Sequence, residues 1–347
     1  MQKIDNIEIK NFKSIRHQKI EGCKRINVFV GPPNVGKSNI LEALGLYSFT
    51  QVYNKENFPF DAICRFNHLS DLNFDKNIKN EIGIGVNKIY TLYFEKSNGD
   101  FDFELCIDSV NERVPRVFKI SVNKKVQKQF VAPAEKADIT DAPIYRIKYY
   151  AFEKNVVNNK LKSSSLSIPN GDNLLDILHG NSDLRKAYSE LLNIYGLKLN
   201  ISDSEIAIAK ELNDGTFVSF PNNLISDTLR RLFFYIAAIQ TNENSILLFE
   251  EPEANMFPPY ISKFTANIMY DDNNNQYFIA THSPFVINDF MENLKKDDYA
   301  IYTVGYGKDT GETLIRRMTD EELHDIYQYG VDLFLNIENF LPHEQQQ

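Results

Sequence analysis

The residues Gly31-Pro32-Pro33-Asn34-Val35-Gly36-Lys37-Ser38 combine the groups needed to hold a string of phosphates. A glycine, four residues, a second glycine, a lysine and a hydroxyl is the spacing of a phosphate-binding loop. The physics is that of a helix N-terminus, whose unpaired N–H groups point at an anion. Pro32 and Pro33 have no N–H, so the donors run from Asn34 through Val35, Gly36, Lys37, Ser38 and Asn39, where a helix should begin. Gly36 lets the backbone approach closely, Lys37 reaches the β and γ phosphates, and the Ser38 hydroxyl binds magnesium. Composition alone would produce this pattern in about one chain in a hundred of this length. The flanks narrow it further: the apolar run Ile26 to Val30 leads in, and Ile40, Leu41, Leu44 and Tyr47 share one helical face leading out.

Such a loop needs a carboxylate from a neighbouring strand on the metal side. Ser245-Ile246-Leu247-Leu248-Phe249-Glu250-Glu251-Pro252 offers one. Four apolar residues predict a buried parallel strand, and two carboxylates stand at its C-terminal end, where α/β sheets place ligands. Glu250 is expected to face the magnesium through water, and Glu251 to take a proton from an attacking water. Further on, Phe278-Ile279-Ala280-Thr281-His282-Ser283-Pro284 reads as a strand ending in a turn that opens a helix. A histidine at a strand end is ordinarily structural, but as the third element in this order His282 suits a γ-phosphate sensor, one ring N–H donating while the other nitrogen stays paired. Ser226 or Asp227 then caps the apolar helix from Thr228 to Ile239. That is either a plain cap or a second helix N-terminus offered to the γ-phosphate of a partner chain.

The elements that must position these groups follow from periodicity. Ile4, Ile7 and Ile9, then Ile15 and Ile20, alternate as strands. Residues 81–131 read as a meander of short strands, and another strand lies near Ile144 to Ala151. Lys, Asn and Ser dominate 153–171, which reads as a crossing segment. A helix over 183–195 and strands at 197–202, 204–210 and 216–220 come next. The series 246–249, 260–269, 277–280 and 285–290 then alternates strand and helix as a βαβ chain should. A strand pair at 299–304 and 311–317 and a helix over 321–329 follow.

Composition sets the outer limits. The 347 residues are 43% hydrophobic and 24% charged, ordinary for a soluble globular chain. No window is apolar enough for a membrane span, and the polar start Met1-Gln2-Lys3-Ile4-Asp5 is not a secretory signal, so a cytoplasmic location is expected. Cys23, Cys64 and Cys106 fit neither a disulfide framework nor a zinc knuckle, and read as buried apolar residues in a reducing compartment. The net charge of -9 is uneven: residues 110–162 carry twelve basic and five acidic side chains. That segment is either a phosphate-facing patch for DNA or a pair of solvated strand faces.

Taken together, these motifs resemble a known family. Ile9-Lys10-Asn11-Phe12-Lys13-Ser14-Ile15, the phosphate loop and Asn39-Ile40-Leu41-Glu42-Ala43-Leu44 look like the opening of the RecF/SMC/OLD branch of ABC-type ATPases, often called AAA family ATPases. Leu248 through Asn255 resembles the family's Walker B and D-loop region, and His282 matches its switch histidine. The resemblance runs through the whole chain. It implies an α/β P-loop NTPase, an ABC-type ATPase head with a parallel core sheet and an antiparallel β-meander lobe. It also implies two chains sandwiching two ATP molecules with magnesium. By the same resemblance, Ser226 is the trans γ-phosphate contact, Glu251 the catalytic base, and Lys13 a phosphate neighbour. Three features depart from the pattern. Glu250 stands where Asp is usual, no glycine follows Ser226-Asp227, and none of Gln51, Gln127 and Gln129 has the strand-end context of the family's metal-bridging glutamine. Arg65 is either a nucleotide contact or a surface ion pair.

The expected organisation is a single head over 1–347, with an N-terminal lobe (1–152), a linker with short elements (153–225) and a C-terminal lobe (226–347). The chain has no room for a long coiled coil, and after His282 too few clustered acids for a TOPRIM nuclease. The implied function is an ATPase that forms an ATP-dependent homodimer or higher oligomer. It would control a separately encoded effector, such as a nuclease, in bacterial anti-phage defence or DNA processing. The alternatives are a RecF-like repair factor clamping DNA through 110–162, and a nucleotide-gated scaffold with little turnover.

Overall fold

The computed structural model describes residues 3–52, 60–96, 103–110, 120–122, 142–158, 163–221 and 224–342. Contacts divide the chain into two compact units. One comprises Met1–Tyr149, Asn244–Glu251 and Gln276–Gln347, the other Tyr150–Glu243 and Pro252–Asn275.

The first unit begins with the alternating isoleucines, which form β1 (Asn6–Phe12) and its hairpin partner β2 (Ile15–Glu21), with Ile7 opposite Ile20 and Phe12 opposite Ile15. The unbroken apolar run forms β3 (Ile26–Val30), buried at every position. The chain turns through the glycine-rich loop into α1 (Lys37–Gly45) and the short α2 (Phe49–Val52). Then β4 (Gly83–Val86), β5 (Tyr90–Lys96), β6 (Phe103–Ser109) and β7 (Ile120–Val122) form the meander that the sequence predicts. They extend the first hairpin into one antiparallel sheet of order β2-β1-β4-β5-β6-β7. Most of the basic segment 110–162, with Gln127 and Gln129, lies outside the described residues.

Next come β8 (Ile147–Tyr150), α3 (Leu174–Gly180), α4 (Ser182–Asn193), β9 (Leu197–Ile201), β10 (Ile206–Glu211), β11 (Phe217–Pro221) and α5 (Asp227–Gln240). The alternating series follows as β12 (Ile246–Glu250), α6 (Pro258–Met269), β13 (Gln276–Ala280), α7 (Pro284–Asn293) and β14 (Tyr299–Tyr306). β15 (Thr313–Arg317) and α8 (Asp320–Tyr329) come last. The core sheet has the order β15-β14-β3-β13-β12-β8, with β14, β3, β13 and β12 mutually parallel and β15 antiparallel at its edge. Strands this apolar on both faces need cover on both, as parallel sheets do; α1 packs against β12 and β13.

This sheet runs across the lobe boundaries read at 152 and 225. β3 can bury all its side chains only between two neighbours, and both of them, β13 and β14, come from the far end of the sequence. The one polar side chain of β3 is satisfied internally: Asn27 Nδ2 donates to Lys24 O at 2.8 Å and to Tyr277 O at 3.1 Å.

In the second unit, β9, β10 and β11 make a three-stranded antiparallel sheet. α4 is capped by Asn181, which accepts from Leu184 N at 2.9 Å, and it buries Leu184, Tyr188, Leu191 and Leu192 at helical spacing. The Tyr188 ring stacks on Phe233 of α5 at 4.1 Å. No described helix is long and apolar enough to cross a membrane. Cys23 and Cys64 are buried free thiols.

Candidate active site

The loop between β3 and α1 owes its shape to one backbone position. Gly36, the N-cap of α1, has φ 98°, a left-handed conformation that side chains rarely adopt. A Cβ there would lie 2.1 Å from Thr313 Oγ1 and 2.7 Å from Ser14 Oγ. Those two residues brace the loop from behind. Thr313 Oγ1 donates to Val35 O at 2.8 Å, Thr313 N donates to Ser14 O at 2.7 Å, and Asn39 Nδ2 donates to Ser14 Oγ at 2.7 Å. Lys37 is buried, and its ammonium donates to Gly31 O at 3.0 Å and Pro32 O at 2.7 Å. It therefore closes the loop on its own carbonyls, above a helix end with no acidic residue in its first turn.

Glu250 ends β12 beside this loop. Its Oε1 accepts from Arg65 Nη2 at 2.6 Å and its Oε2 from the Tyr149 hydroxyl at 2.6 Å, and Ser38 lies close enough to favour its charged form. Burial pushes the Glu250 pKa up, but the nearby Ser38 and Tyr149 hydroxyls and the charge of Arg65 outweigh it and hold the group below its ordinary value. Arg65 also donates to Glu42 Oε1 of α1 at 2.9 Å. Burial opposes its charge, and Glu250 and Glu42 together hold its pKa above the ordinary value.

Of the two roles open to Arg65, the structure thus shows an ion pair, made with two carboxylates at once. Lys13, expected from the resemblance to neighbour a phosphate, places its ammonium on Glu42 Oε2 and on Arg65 O. Gln51 donates to Ile147 O of β8, so its amide is committed to a strand end.

Glu251 follows in a left-handed turn, φ 41°, with its N–H on Ala280 O at 2.8 Å. A non-glycine residue held there stores about 1–3 kcal/mol of backbone strain. His282, two residues beyond β13, brings Nε2 to 3.4 Å from Glu251 Oε1. Burial, then the positive charge of Lys37, lower the His282 pKa, and Glu251 only partly opposes them. The ring is therefore neutral near pH 7, able to donate from one nitrogen. Lys37, Ser38, Glu250, Glu251 and His282 all lie at the C-terminal ends of β3, β12 and β13 or just beyond them, where a parallel sheet binds ligands.

Ser226 belongs to the second unit. It is the N-cap of α5, its side chain accepting from Leu229 N at 3.4 Å. Asp227 is paired with Lys154, whose hydrogen bond is the main cause of its lowered pKa. Thr228 Oγ1 donates to Asn255 O at 2.9 Å, seating the D-loop-like turn on the start of this helix.

The donors in the first unit suit magnesium. Ser38 and Glu250 offer hard oxygens near one another beside the loop, and this ion usually takes one or two carboxylates together with substrate phosphates. The residues the sequence did not single out are Tyr149 and Thr313. Neither carries a motif, and each arrives by strand pairing or by hydrogen bonds across the sheet.

A profile of the AAA domain family matches residues 6–256. Protein ea59 of Escherichia phage lambda is 23% identical over 292 residues, covering 70% of this chain and 54% of that one. A DNA replication and repair protein RecF from Thermoanaerobacter is 24% identical over 233 residues, covering 62% of this chain and 58% of that one. The chain spans about half the length of these curated relatives. Among solved structures, an SMC head bound to the C-winged helix domain of ScpA superposes with a TM-score of 0.53 at 15% identity, covering 94% of this chain and 100% of that one. An SMC head with an extended coiled coil from Pyrococcus furiosus gives a TM-score of 0.51 at 13% identity, covering 95% and 99%.

Proposed function

From the premise that the chain belongs to the AAA domain family, as an ABC-type ATPase head of the RecF/SMC type, we propose that it binds and hydrolyses ATP and dimerises around the nucleotide. In this reading it works in the cytoplasm and controls a separately encoded effector in anti-phage defence or DNA processing. The observation that carries the ATPase reading is the placing of Glu250, at the end of β12, against the loop helix α1, to whose Glu42 it is bridged by Arg65.

The residues divide the work. Asn34, Val35, Gly36, Lys37, Ser38 and Asn39 wrap the phosphates with N–H groups and one ammonium, Lys37 exchanging the carbonyls of Gly31 and Pro32 for phosphate oxygens. Ser38 and Glu250 would hold magnesium, which supplies neutralising charge to the transferred phosphoryl group. Glu251 accepts a proton from the attacking water, and neutral His282 donates to the γ-phosphate. Ser226 of a second copy presents the α5 N-terminus to the same phosphate. Glu251→Gln should keep ATP binding, trap an ATP-dependent dimer seen as a doubling of mass by light scattering, and release phosphate at least about a hundredfold more slowly. Unchanged phosphate release would remove Glu251 from this role.

The control of a separate effector is the second part of the proposal. It is supported by the SMC head solved in complex with a separate protein's winged-helix domain. The similarity to RecF supports a second reading, a DNA clamp using 110–162. Filter binding of duplex DNA with and without ATP separates the two: a steep fall of binding with salt favours the clamp, and no binding at low salt rejects it. The glutamate at 250 and the lack of a glycine after Asp227 favour a third, a scaffold that scarcely turns over. Robust steady-state hydrolysis by the isolated chain rejects that one.

A further inference from the structure

Glu250 is one methylene longer than the aspartate that the family pattern leads one to expect, and the structure surrounds its carboxylate with donors that differ in kind. Tyr149 is 3% exposed and fixed at three points. Its N–H donates to Ser48 Oγ at 3.1 Å, its ring lies where a Cβ on Gly45 would come 3.1 Å from Cδ2, and its hydroxyl donates to Glu250 Oε2 at 2.6 Å. The glycine at 45, the last residue of α1, is what lets the ring lie so close to the helix. Arg65 bonds the other oxygen, but its side chain is 64% exposed and shared with Glu42. Water and Glu42 can take over the bonds of Arg65 at little cost, whereas a buried phenol that loses its acceptor is left unpaired.

We infer that Tyr149 is a positioning residue that aims Glu250 at the metal of the nucleotide, and that Arg65 is the donor that gives way when the metal arrives. This rests on the ATP reading of the site above. A phenol keeps its proton near neutral pH, so the Tyr149 hydroxyl is a constant donor to Glu250 Oε2. Arg65 places a positive charge against the carboxylate that would hold a divalent cation, so the two contacts act on metal affinity with opposite sign. Restraining the long side chain from Oε2 compensates for its extra rotatable bond.

The test is the ratio of affinities for a fluorescent ATP analogue in magnesium and in EDTA. Tyr149→Phe keeps the ring and should lower this ratio about tenfold or more, the worth of a hydrogen bond to a charged group, while leaving the EDTA affinity unchanged. Arg65→Ala should leave the ratio unchanged or raise it. In a Glu250→Gln background, Tyr149→Phe should have no further effect on the ratio, because it acts only through that carboxylate.

Equal loss for Tyr149→Phe in magnesium and EDTA would mean a merely structural tyrosine and overturns the inference. So would a fall in the ratio for Arg65→Ala, an exposed substitution that keeps the test open if Tyr149→Phe does not fold. A wild-type ratio of one points elsewhere: it removes the metal site itself, and the ATP reading with it.

Discussion

His282 Nε2 lies 3.4 Å from Glu251 Oε1, so the two side chains assigned to the water and the γ-phosphate meet across the ends of neighbouring strands. Both are partly exposed, and the charge of Lys37 reaches the imidazole.

The protonation of His282 should report on both neighbours. Burial and Lys37 lower its pKa, so the folded protein holds the ring neutral where the unfolded chain would begin to protonate it. Its contribution against folding therefore appears only as pH falls below the ordinary imidazole value of about 6.5, and is absent above it. Followed by NMR, the ring should titrate at higher pH in Lys37→Ala and at lower pH in Glu251→Gln. Hydrolysis should lose rate on the acid side of neutrality as imidazolium forms, and His282→Ala should be about a hundredfold slower at its best pH. A ring that titrates identically in all three proteins would mean that it does not share a site with those charges.

Gly36→Ala should be among the most damaging small substitutions in the chain. The new Cβ meets Thr313 Oγ1 and Ser14 Oγ in a backbone conformation that strains any side chain. The conformational strain alone is about 1–3 kcal/mol, and thermal melting should show at least that loss together with failed nucleotide binding. Gly83→Ala is the control: the nearest atom to its Cβ is Lys10 Cβ at 3.9 Å, and its effect should stay within about 0.5 kcal/mol.

Ser226 has two roles that one pair of variants separates. Ser226→Ala removes the bond to Leu229 N and should cost about 1 kcal/mol of stability as a lost N-cap. Ser226→Asp keeps a capping oxygen, so the stability should be retained, but it sets a negative charge where a partner's γ-phosphate would sit. ATP-dependent dimerisation should then fail in a protein that melts normally. A Ser226→Asp protein that still dimerises on ATP would leave Ser226 as a cap and nothing more.

Much of the fold could be read from residue order, because the site is built on elements with strong local signals. The switch from unbroken apolar residues to helical spacing marks β3 and α1, and the carboxylate pair and the Thr-His-Ser turn mark the ends of β12 and β13. Local chemistry also sets the small differences. The helix expected to reach Tyr195 stops at Asn193, where Tyr195 N bonds Leu192 O and Gly196 turns left-handed at φ 67°. What could not be read are groups that matter only through pairing. Ser14 and Thr313 brace the loop from a hairpin turn and an edge strand far apart in sequence, and Tyr149 reaches Glu250 from β8. The two open roles of Arg65 turned on where Glu42 and Glu250 lie relative to each other, which no spacing encodes.

The placement of β3 between β13 and β14 has a bearing on how the protein is made. A ribosome releases the phosphate loop well before the two strands that flank its root, which leave the tunnel only after residue 275. Until then β3 has no neighbour in its own sheet, and such distant pairings are the slow steps of folding. The nucleotide binding proposed for this loop would thus be acquired late in synthesis, and a nascent chain should not engage ATP before β13 and β14 have emerged.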